Sequence, residues 1–492
     1  MPNVSANAWY AAFKAKDARF DGRFFVGVSS TGIYCRPVCK ARLPKAGNCT
    51  YYDSAAAAEQ AGFRPCLLCR PELAPGNAPV DATLSLAHKA ARLLEEQCGS
   101  GQNLDELMQK LGCSARHLRR AFTAEYNVSP VRYLQTCRLL LAKNLLTDTD
   151  LSVTDVAMAA GFGSLRRFND LFKTQYRLAP TALRRQVATE KGGRVDVTLR
   201  LGYRPPYQWR QLLAFLSARA IPGVEIVADN AYARTVHCVS AAQKNVSGWV
   251  RVGHLPHKNA LSVTVDSALL PVLPHVLSRI RHLFDLYCAP ASIAETLSAM
   301  DTVRPGLCVT GTRLPGCMEP FEVAVSTALG QRMPLTAASI LTGRLAESLG
   351  ASVAIGIDGL THTFPAPATI AALQGGIEVH LGPLGISASQ ARTILALAEA
   401  FVAGRIDAAL YARPEAAIQT LLAIEGIGPD AAQGIAMRAM GWPDAFPGTD
   451  CGLKKMLSPL SESEIAALAE AWRPWRSYAV MTIWNYLDAQ KE

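Results

Sequence analysis

Four cysteines lie in two short segments near the N-terminus, Tyr34-Cys-Arg-Pro-Val-Cys-Lys40 and Phe63-Arg-Pro-Cys-Leu-Leu-Cys-Arg70. One pair has the spacing C-x3-C and the other has the spacing C-x2-C. Zinc favours a tetrahedron of four soft ligands, and two loops that each carry two thiolates can supply them. The spacing therefore predicts a single zinc ion. Its predicted ligands are the thiolates of Cys35, Cys39, Cys66 and Cys69.

Basic side chains surround this predicted zinc site in the sequence. An ordinary structural zinc ribbon does not need so many cations, which indicates that the site faces a phosphate backbone. The alternative is a purely structural zinc, because spacing alone does not show that a thiolate also reacts. The predicted phosphate contacts are Arg36, Lys40, Arg64 and Arg70, with Arg42 nearby.

The length and composition of the chain favour a multidomain protein of the reducing cytosol. With 492 residues the chain is too long for one core. It has no apolar run of the roughly 18 residues that span a bilayer, and its first residues do not resemble a signal peptide. Its 13 cysteines are an odd number, which favours metal ligands and free thiols over disulfides. We therefore predict a cytoplasmic, nucleoid-associated protein without a membrane partner.

The positive charge is concentrated in the N-terminal part. Residues 1–190 carry 25 lysines and arginines against 16 acidic residues, whereas residues 191–492 carry 25 against 24. This asymmetry predicts contact with nucleic acid in the first part. Composition shifts at Pro71–Pro79 and Ala188–Arg194 predict three domains. Their predicted bounds are 1–75, 80–187 and 195–492.

The middle region contains two helix-turn-helix patterns. In the first, Gly112 makes the turn and Ser114 caps the second helix; in the second, Gly161 and Ser164 have these roles. Each second helix presents cations on a polar face, which suits insertion into the major groove of double-stranded DNA. The predicted DNA contacts are Arg116, Arg119, Arg120, Arg166, Arg167 and Lys173.

A glycine turn and a later aspartate mark the C-terminal region. Ile424-Glu-Gly-Ile-Gly-Pro429 separates two helical stretches, 415–423 and 430–440, and is typical of a helix-hairpin-helix. Gly426 and Gly428 let backbone N–H groups of the turn face a DNA phosphate. A Pro/Gly-rich loop then ends at Asp450, 22 residues after Gly428.

Three resemblances to known families follow from these motifs. The segments around the four cysteines resemble the N-terminal domain of the Ada methylation-response proteins, which implies that Cys35 is both zinc ligand and acceptor of a methyl group from a DNA methylphosphotriester. The helical region up to Arg184 resembles the AraC-type DNA-binding domain. It implies a transcriptional activator of repair genes that works with RNA polymerase.

The C-terminal region resembles the AlkA type of DNA-3-methyladenine glycosylase, in motifs such as Leu314-Pro-Gly-Cys317, Leu329-Gly-Gln331 and Arg473-Pro-Trp-Arg-Ser-Tyr-Ala479. This resemblance implies that Asp450 is the catalytic carboxylate and that Trp484 lies beside it in the base pocket. The hairpin has no lysine nucleophile, so we predict a monofunctional N-glycosylase.

The predicted architecture thus has three parts. They are a small α+β four-cysteine zinc domain, an all-α double helix-turn-helix domain, and a glycosylase with a mixed α/β subdomain (195–310) and all-α helix-hairpin-helix subdomains (311–492). The glycosylase departs from its family at Asp430 and Gly434, where aromatic residues usually line the pocket, and at Arg332, where the family has an apolar wedge. These departures support an alternative, a methyl-responsive activator whose glycosylase domain is weak or inactive.

Overall fold

A computed structural model of the chain divides into two compact units. The first comprises residues 1–195 with two short later segments, 240–243 and 271–275, and the second comprises the rest. The described residues are 6–16, 20–21, 24–52, 55–66, 68–69, 71, 90–91, 94–95, 98, 114–126, 128–149, 151–176, 178–187, 197–239, 245–331, 333–353, 355–406 and 414–490.

The four-cysteine region is a small α+β fold, as predicted. Its sheet has the strand order β3-β1-β2-β4; β1 pairs antiparallel with β2 and β3, and β2 pairs parallel with β4. A Cβ at Gly27 would lie 2.8 Å from the ring of Tyr52 and 3.0 Å from that of Phe63, so glycine lets these rings lie close to the strand without shifting. The elements are α1 (Ala6–Ala15), β1 (Phe25–Val28), β2 (Ile33–Cys35), β3 (Cys49–Tyr52), α2 (Ala55–Gln60) and β4 (Arg64–Pro65).

The described part of the middle region consists of helices. Ser164 caps α6 as predicted, because its Oγ accepts the backbone N–H of Arg167 at 3.3 Å. Gly161 turns the chain with φ +80°, and a Cβ there would lie 2.2 Å from the carbonyl oxygen of Cys98. The first predicted helix, with Gly112, lies outside the described residues. The helices are α3 (Ala115–Tyr126), α4 (Pro130–Asp148), α5 (Val153–Ala159), α6 (Leu165–Tyr176) and α7 (Pro180–Val187).

The second unit begins with a five-stranded antiparallel sheet of strand order β5-β9-β8-β7-β6. The alternating pattern that predicts a strand from Val195 is confirmed, since β5 alternates buried and more exposed residues. The elements are β5 (Val197–Gly202), α8 (Trp209–Ser217), β6 (Glu225–Ala228), β7 (Ala231–Val239), β8 (Asn245–Leu255), β9 (Ala260–Val265), α9 (Leu273–Leu283) and α10 (Pro290–Leu297).

The rest of the second unit is helical and surrounds α11, which packs against α12, α15 and α17. Buried aliphatic side chains such as Leu329, Leu397 and Ile435 fill the space between these helices. The helices are α11 (Pro320–Gly330), α12 (Leu335–Leu349), α13 (Pro367–Ala371), α14 (Ile377–Leu381), α15 (Ala388–Val402), α16 (Pro414–Leu422), α17 (Pro429–Ala439), α18 (Cys451–Leu457), α19 (Glu462–Ala469) and α20 (Arg476–Ala489).

Two features of this helical part place the candidate site. α16 and α17 form the predicted helix-hairpin-helix, within one residue of the expected bounds. The loop 440–450 then leads to α18, which packs against α20. Among the described residues, no helix is long and apolar enough to cross a membrane.

Candidate functional site

The four predicted zinc ligands come together. Each of Cys35, Cys39, Cys66 and Cys69 offers one sulfur, and these sulfurs all lie within 4.8 Å of one another. A tetrahedral zinc site with Zn–S bonds of about 2.3 Å has sulfurs about 3.8 Å apart, so small shifts would close the cluster around one ion. The number and softness of the donors therefore fit zinc.

The backbone around the cysteines fixes the cluster. Cys35 ends β2, and the backbone N–H of Cys66 donates to the carbonyl oxygen of Tyr34 on the same strand at 3.0 Å. The N–H of Arg36 donates to Cys69 Sγ at 3.4 Å. Hydrogen bonds with Cys39 and Cys69, together with burial, raise the pKa of the Cys35 thiol in the absence of metal. A bound dication favours the thiolate instead.

One of the predicted phosphate contacts is corrected by the structure. Arg36 is only 5% exposed, and its guanidinium forms an ion pair with the buried carboxylate of Asp21. It also donates to the carbonyl oxygen of Cys69 at 3.4 Å. Arg36 therefore stabilises the loop that carries Cys69 and does not face a DNA phosphate. Lys40 and Arg64 are exposed, whereas Arg70 lies outside the described residues.

The six cations of α3 and α6 that are predicted to contact DNA have exposed side chains. The opposite faces of these helices are apolar, since Leu118 and Phe122 of α3 and Phe168 and Phe172 of α6 are fully buried. Burial of one face leaves the basic face to solvent, as major-groove binding requires. The cations are Arg116, Arg119 and Arg120 on α3, and Arg166, Arg167 and Lys173 on α6.

The hairpin between α16 and α17 is held by the side chain of Gln331, a contact that the sequence does not predict. Gln331, just after α11, donates from Nε2 to the carbonyl oxygen of Gly426 at 2.8 Å and accepts the N–H of Gly428 at 2.8 Å. The N–H of Gly428 is therefore already used within the protein. Gly426 has φ +91° and packs against Thr393. Arg332 lies outside the described residues.

Asp450 and Trp484 are in direct contact, 34 residues apart in sequence. Oδ1 of Asp450 accepts the indole N–H of Trp484 at 2.9 Å and the backbone N–H of Leu453 at 3.1 Å. The second bond makes Asp450 the N-cap of α18. No hydrogen bond to Oδ2 is found within the part of the chain that the structure describes. The carboxylate is thus oriented through one oxygen, while the other has no donor among these residues.

Phe215 and Arg219 complete this site and were not predicted from the sequence. The ring of Phe215 on α8 is nearly parallel to that of Trp484, at 16° with centroids 6.3 Å apart. The guanidinium of Arg219 lies 3.8 Å from the Phe215 centroid. Burial and the nearby Arg438 lower the pKa of Arg219 to about 9, whereas Asp488 and Asp450 oppose that shift. No local pattern marks Phe215, because α8 reads as an ordinary apolar helix, and Arg219 follows the end of that helix.

Asp430 and Gly434, the two positions where the resembling family has aromatic residues, have different surroundings. Asp430, at the start of α17, accepts the N–H of Thr449 at 3.2 Å and the hydroxyl of the same residue. Gly434 lies one turn further along, and a Cβ there would make an ordinary contact of 3.7 Å with Thr327. Position 430 therefore carries a loop contact, and position 434 leaves the helix surface bare.

The loop that precedes Asp450 is also anchored by α20 and the residues before it. Buried Asp444 accepts from Arg476 at 2.8 Å and forms an ion pair with Arg473. The hydroxyl of Ser477 donates to the carbonyl oxygens of Trp442 and Ala445. The Arg473–Ala479 motif could have indicated that this segment anchors the loop, since its two arginines lie among buried residues and so require an acidic partner.

Three family models match the chain. "Metal binding domain of Ada" matches residues 8–72, "Helix-turn-helix domain" matches 107–186, and "AlkA N-terminal domain" matches 198–319. The matches follow one another along the chain and end at residue 319, within the second unit.

Curated relatives match the chain as a whole and in parts. A probable bifunctional transcriptional activator/DNA repair enzyme AlkA of Mycobacterium tuberculosis is 36% identical over 495 residues, which cover 97% of this chain and 96% of that protein. DNA-3-methyladenine glycosylase 2 of Escherichia coli is 34% identical and covers 58% of this chain and 95% of its own length. The bifunctional transcriptional activator/DNA repair enzyme Ada of Escherichia coli is 37% identical over 30% of this chain and 40% of its own length.

Proposed function

Because the chain belongs to the family of bifunctional activator and repair proteins that join an Ada-type region to an AlkA-type glycosylase, we propose that it both senses and repairs DNA alkylation. The first unit accepts a methyl group from a DNA methylphosphotriester and activates transcription of repair genes. The second unit hydrolyses the N-glycosidic bond of alkylated purines such as 3-methyladenine. The protein acts in the cytoplasm, at the nucleoid.

Methyl acceptance is assigned to Cys35. Its sulfur attacks the methyl carbon and an S–C bond forms. The bond between the methyl carbon and its phosphate oxygen breaks, and the phosphodiester leaves as a stable anion that keeps this oxygen. No general acid is needed. Zinc at the four sulfurs would supply the positive charge that keeps the attacking sulfur a thiolate at neutral pH. Because the thioether stays on the protein, each molecule reacts once.

Promoter activation follows from the charge change at the same site. Methylation removes one negative charge from the cysteine cluster, so the surrounding surface is repelled less by the DNA backbone. Exposed Lys40 and Arg64 beside the cluster and the basic faces of α3 and α6 then hold promoter DNA. In this proposal the bound protein recruits RNA polymerase.

Base excision is assigned to the site around Asp450. An alkylated purine is a cation and a good leaving group, so the enzyme has to flip the nucleotide out, stack the base on aromatic rings and stabilise the oxocarbenium sugar. The half-buried Trp484 supplies a ring, and the buried Phe215 packs nearly parallel to it. The carboxylate of Asp450 faces the sugar and helps water attack C1′. With Pro429 and Asp430 at the hairpin and no lysine, the reaction ends at the abasic site.

The observation that carries this assignment is the asymmetric bonding of Asp450. Oδ1 is held by Trp484 and Leu453, so the charge is oriented, while Oδ2 has no donor within the described residues. A carboxylate used only as a helix cap does not need an aromatic N–H as a second donor. A fixed carboxylate beside parallel rings suits the stabilisation of a developing cation.

The test is release of free base from methylated duplex DNA. We expect 3-methyladenine release by the intact protein and a loss of about 10²-fold or more in Asp450→Asn, since the amide keeps the hydrogen bonds but loses the charge. Asp358→Asn, which removes the charge of an exposed carboxylate in another loop of the same unit, should match the parent. No release by folded, DNA-binding protein would leave a methyl-responsive activator, the second candidate, which Asp430 and Gly434 favour.

Methyl acceptance has its own test. Radiolabelled methylphosphotriester DNA should transfer one methyl group per protein, and peptide mapping should place it on Cys35. Cys35→Ser should abolish transfer, whereas Cys49→Ser, at a half-buried cysteine outside the cluster, should retain it. Transfer that persists in Cys35→Ser would assign the acceptor to another cysteine.

A further inference from the structure

The loop that delivers Asp450 has an unequal set of anchors. Its upstream half is fixed, because the N–H of Phe446 donates to Gln433 Oε1 at 3.0 Å and Ser477 holds the residues before it. Pro447, Gly448 and Thr449 then separate Phe446 from Asp450. Glycine is the least restrained residue of a chain, so the last part of the loop needs an anchor of its own.

Asp430 supplies that anchor. Its Oδ1 accepts the backbone N–H of Thr449 at 3.2 Å, and its Oδ2 accepts the hydroxyl of Thr449. Thr449 immediately precedes Asp450, so both contacts act on the peptide that leads into the proposed catalytic carboxylate. Asp430 itself is the second residue of α17, where a negative charge is favoured by the N-terminal end of the helix.

The side chain of Asp450 and the backbone that precedes it are therefore held by different groups. The side chain is held by the indole of Trp484 and the first turn of α18, and the incoming backbone is held by Asp430 through Thr449. If Asp430 is removed, the one hydrogen bond left to the loop between Phe446 and Asp450 among the described residues is the 3.2 Å bond from the Asp450 N–H to the carbonyl oxygen of Pro447. That bond lies inside the loop and does not tie it to a helix.

We infer that Asp430 is a positioning residue for base excision, which acts by fixing Thr449 and so the orientation of Asp450. The inference rests on the proposed glycosylase function. In the resembling family, position 430 has an aromatic residue that lines the base pocket. In this chain, the residue at position 430 instead sets the geometry of the Asp450 carboxylate. A small displacement of such a group lowers the rate of the chemical step more than the affinity for DNA.

The experiment measures the single-turnover rate of base release and the dissociation constant for methylated duplex DNA. Asp430→Ala should slow release by about 10–100-fold while affinity stays within about twofold of the parent. Asp430→Asn should restore most of the rate, because the amide oxygen still accepts the Thr449 N–H and the amide nitrogen can donate to its hydroxyl. Glu378→Ala, which removes an exposed carboxylate paired with Arg392 elsewhere in the unit, should match the parent.

A second readout does not depend on activity. The indole N–H of Trp484 gives one of the seven tryptophan signals in a ¹⁵N–¹H spectrum, and Trp484→Phe assigns it. Asp430→Ala should shift this signal or speed its hydrogen exchange, whereas Asp430→Asn should leave it in place. An unchanged indole signal and rate in Asp430→Ala would overturn the inference.

The two proposals fail in different ways. A parent protein that releases no base refutes the proposed glycosylase activity, while the indole signal still tests whether Asp430 positions Asp450.

If Asp430→Ala does not fold, Thr449→Val takes its place. Thr449→Val removes only the hydroxyl bond, and Thr449→Ser restores it. Thr449→Val should slow release about fivefold. An equal rate in Thr449→Val and Thr449→Ser would then refute the role of the clamp.

Discussion

Asp450 has a structural role that can be separated from its proposed chemical role. Its Oδ1 caps α18 through the Leu453 N–H and accepts the indole N–H of Trp484. Asparagine keeps an oxygen acceptor in this place and is as good an N-cap as aspartate, whereas alanine removes the acceptor from both donors. Asp450→Asn and Asp450→Ala should therefore be equally inactive but unequally stable.

The expected difference can be worked out from these two bonds. Loss of an N-cap costs about 1 kcal/mol. Loss of the acceptor for the partly buried indole N–H costs a further ~1–3 kcal/mol. Asp450→Ala should thus lower the free energy of unfolding of the second unit by about 2–4 kcal/mol, and Asp450→Asn should change it by less than about 0.5 kcal/mol.

Urea unfolding followed by tryptophan fluorescence is the assay. Six of the seven tryptophans lie in the second unit and only Trp9 lies in the first, so Trp9→Phe leaves a signal from the second unit alone. Trp484→Phe in the Asp450→Ala background removes the orphaned donor and should recover about 1 kcal/mol or more of the loss. Equal midpoints for Asp450→Ala and Asp450→Asn would refute the reasoning.

Three further predictions follow from the glycines, a histidine and the metal cluster. Gly426→Ala should weaken binding to undamaged duplex DNA and lower the unfolding midpoint, because its Cβ would lie 2.0 Å from Thr393 Oγ1 at φ +91°. Gly434→Ala should instead gain about 0.5–1 kcal/mol of unfolding free energy, because its backbone is helical and the new Cβ would meet only an ordinary 3.7 Å contact with Thr327. Burial lowers the pKa of His254 below 6.5, so the unfolded chain binds the proton more tightly; the urea midpoint should fall as pH drops below 6.5, and His254→Phe should flatten that part of the profile. Cys39→Ser should lower the zinc content and abolish methyl transfer while base release stays unchanged, and retention of one zinc per chain in that variant would contradict the four-cysteine site.

The local features of the fold could be predicted from the sequence because their causes are local. Cysteine spacing places four thiols on two short loops, and the hairpin glycines separate two helices at a backbone angle that other residues avoid. The helices Pro414–Leu422 and Pro429–Ala439 match the prediction within one residue. In the same way, Gly161 and Ser164 define a turn and a cap through contacts with near neighbours.

The pairings between distant residues could not be predicted from the sequence. From the sequence, Arg36 is predicted to contact phosphate like the other basic residues beside the cysteines, but its charge is neutralised by Asp21, which lies 15 residues away. Net charge does not show which guanidinium is solvated. Gln331 likewise meets the hairpin across 95 or more residues, and nothing in its own segment indicates that contact.

The aromatic content of the excision site illustrates the same limit. Counted along α17, the chain lacks two rings, at Asp430 and Gly434, and the sequence suggests a weakened pocket. The fold brings Phe215 from α8 to within 6.3 Å of Trp484, a residue 269 positions later, and sets the two rings nearly parallel. Two carbon surfaces around an inserted base need about 7 Å between them, so a base stacks on this pair only if the rings separate or it approaches from one side. Phe215 is only 2% exposed, so its ring packs behind Trp484 and does not replace the two rings missing from α17. Of those two positions, Asp430 has another contact, because it holds the loop that carries Asp450.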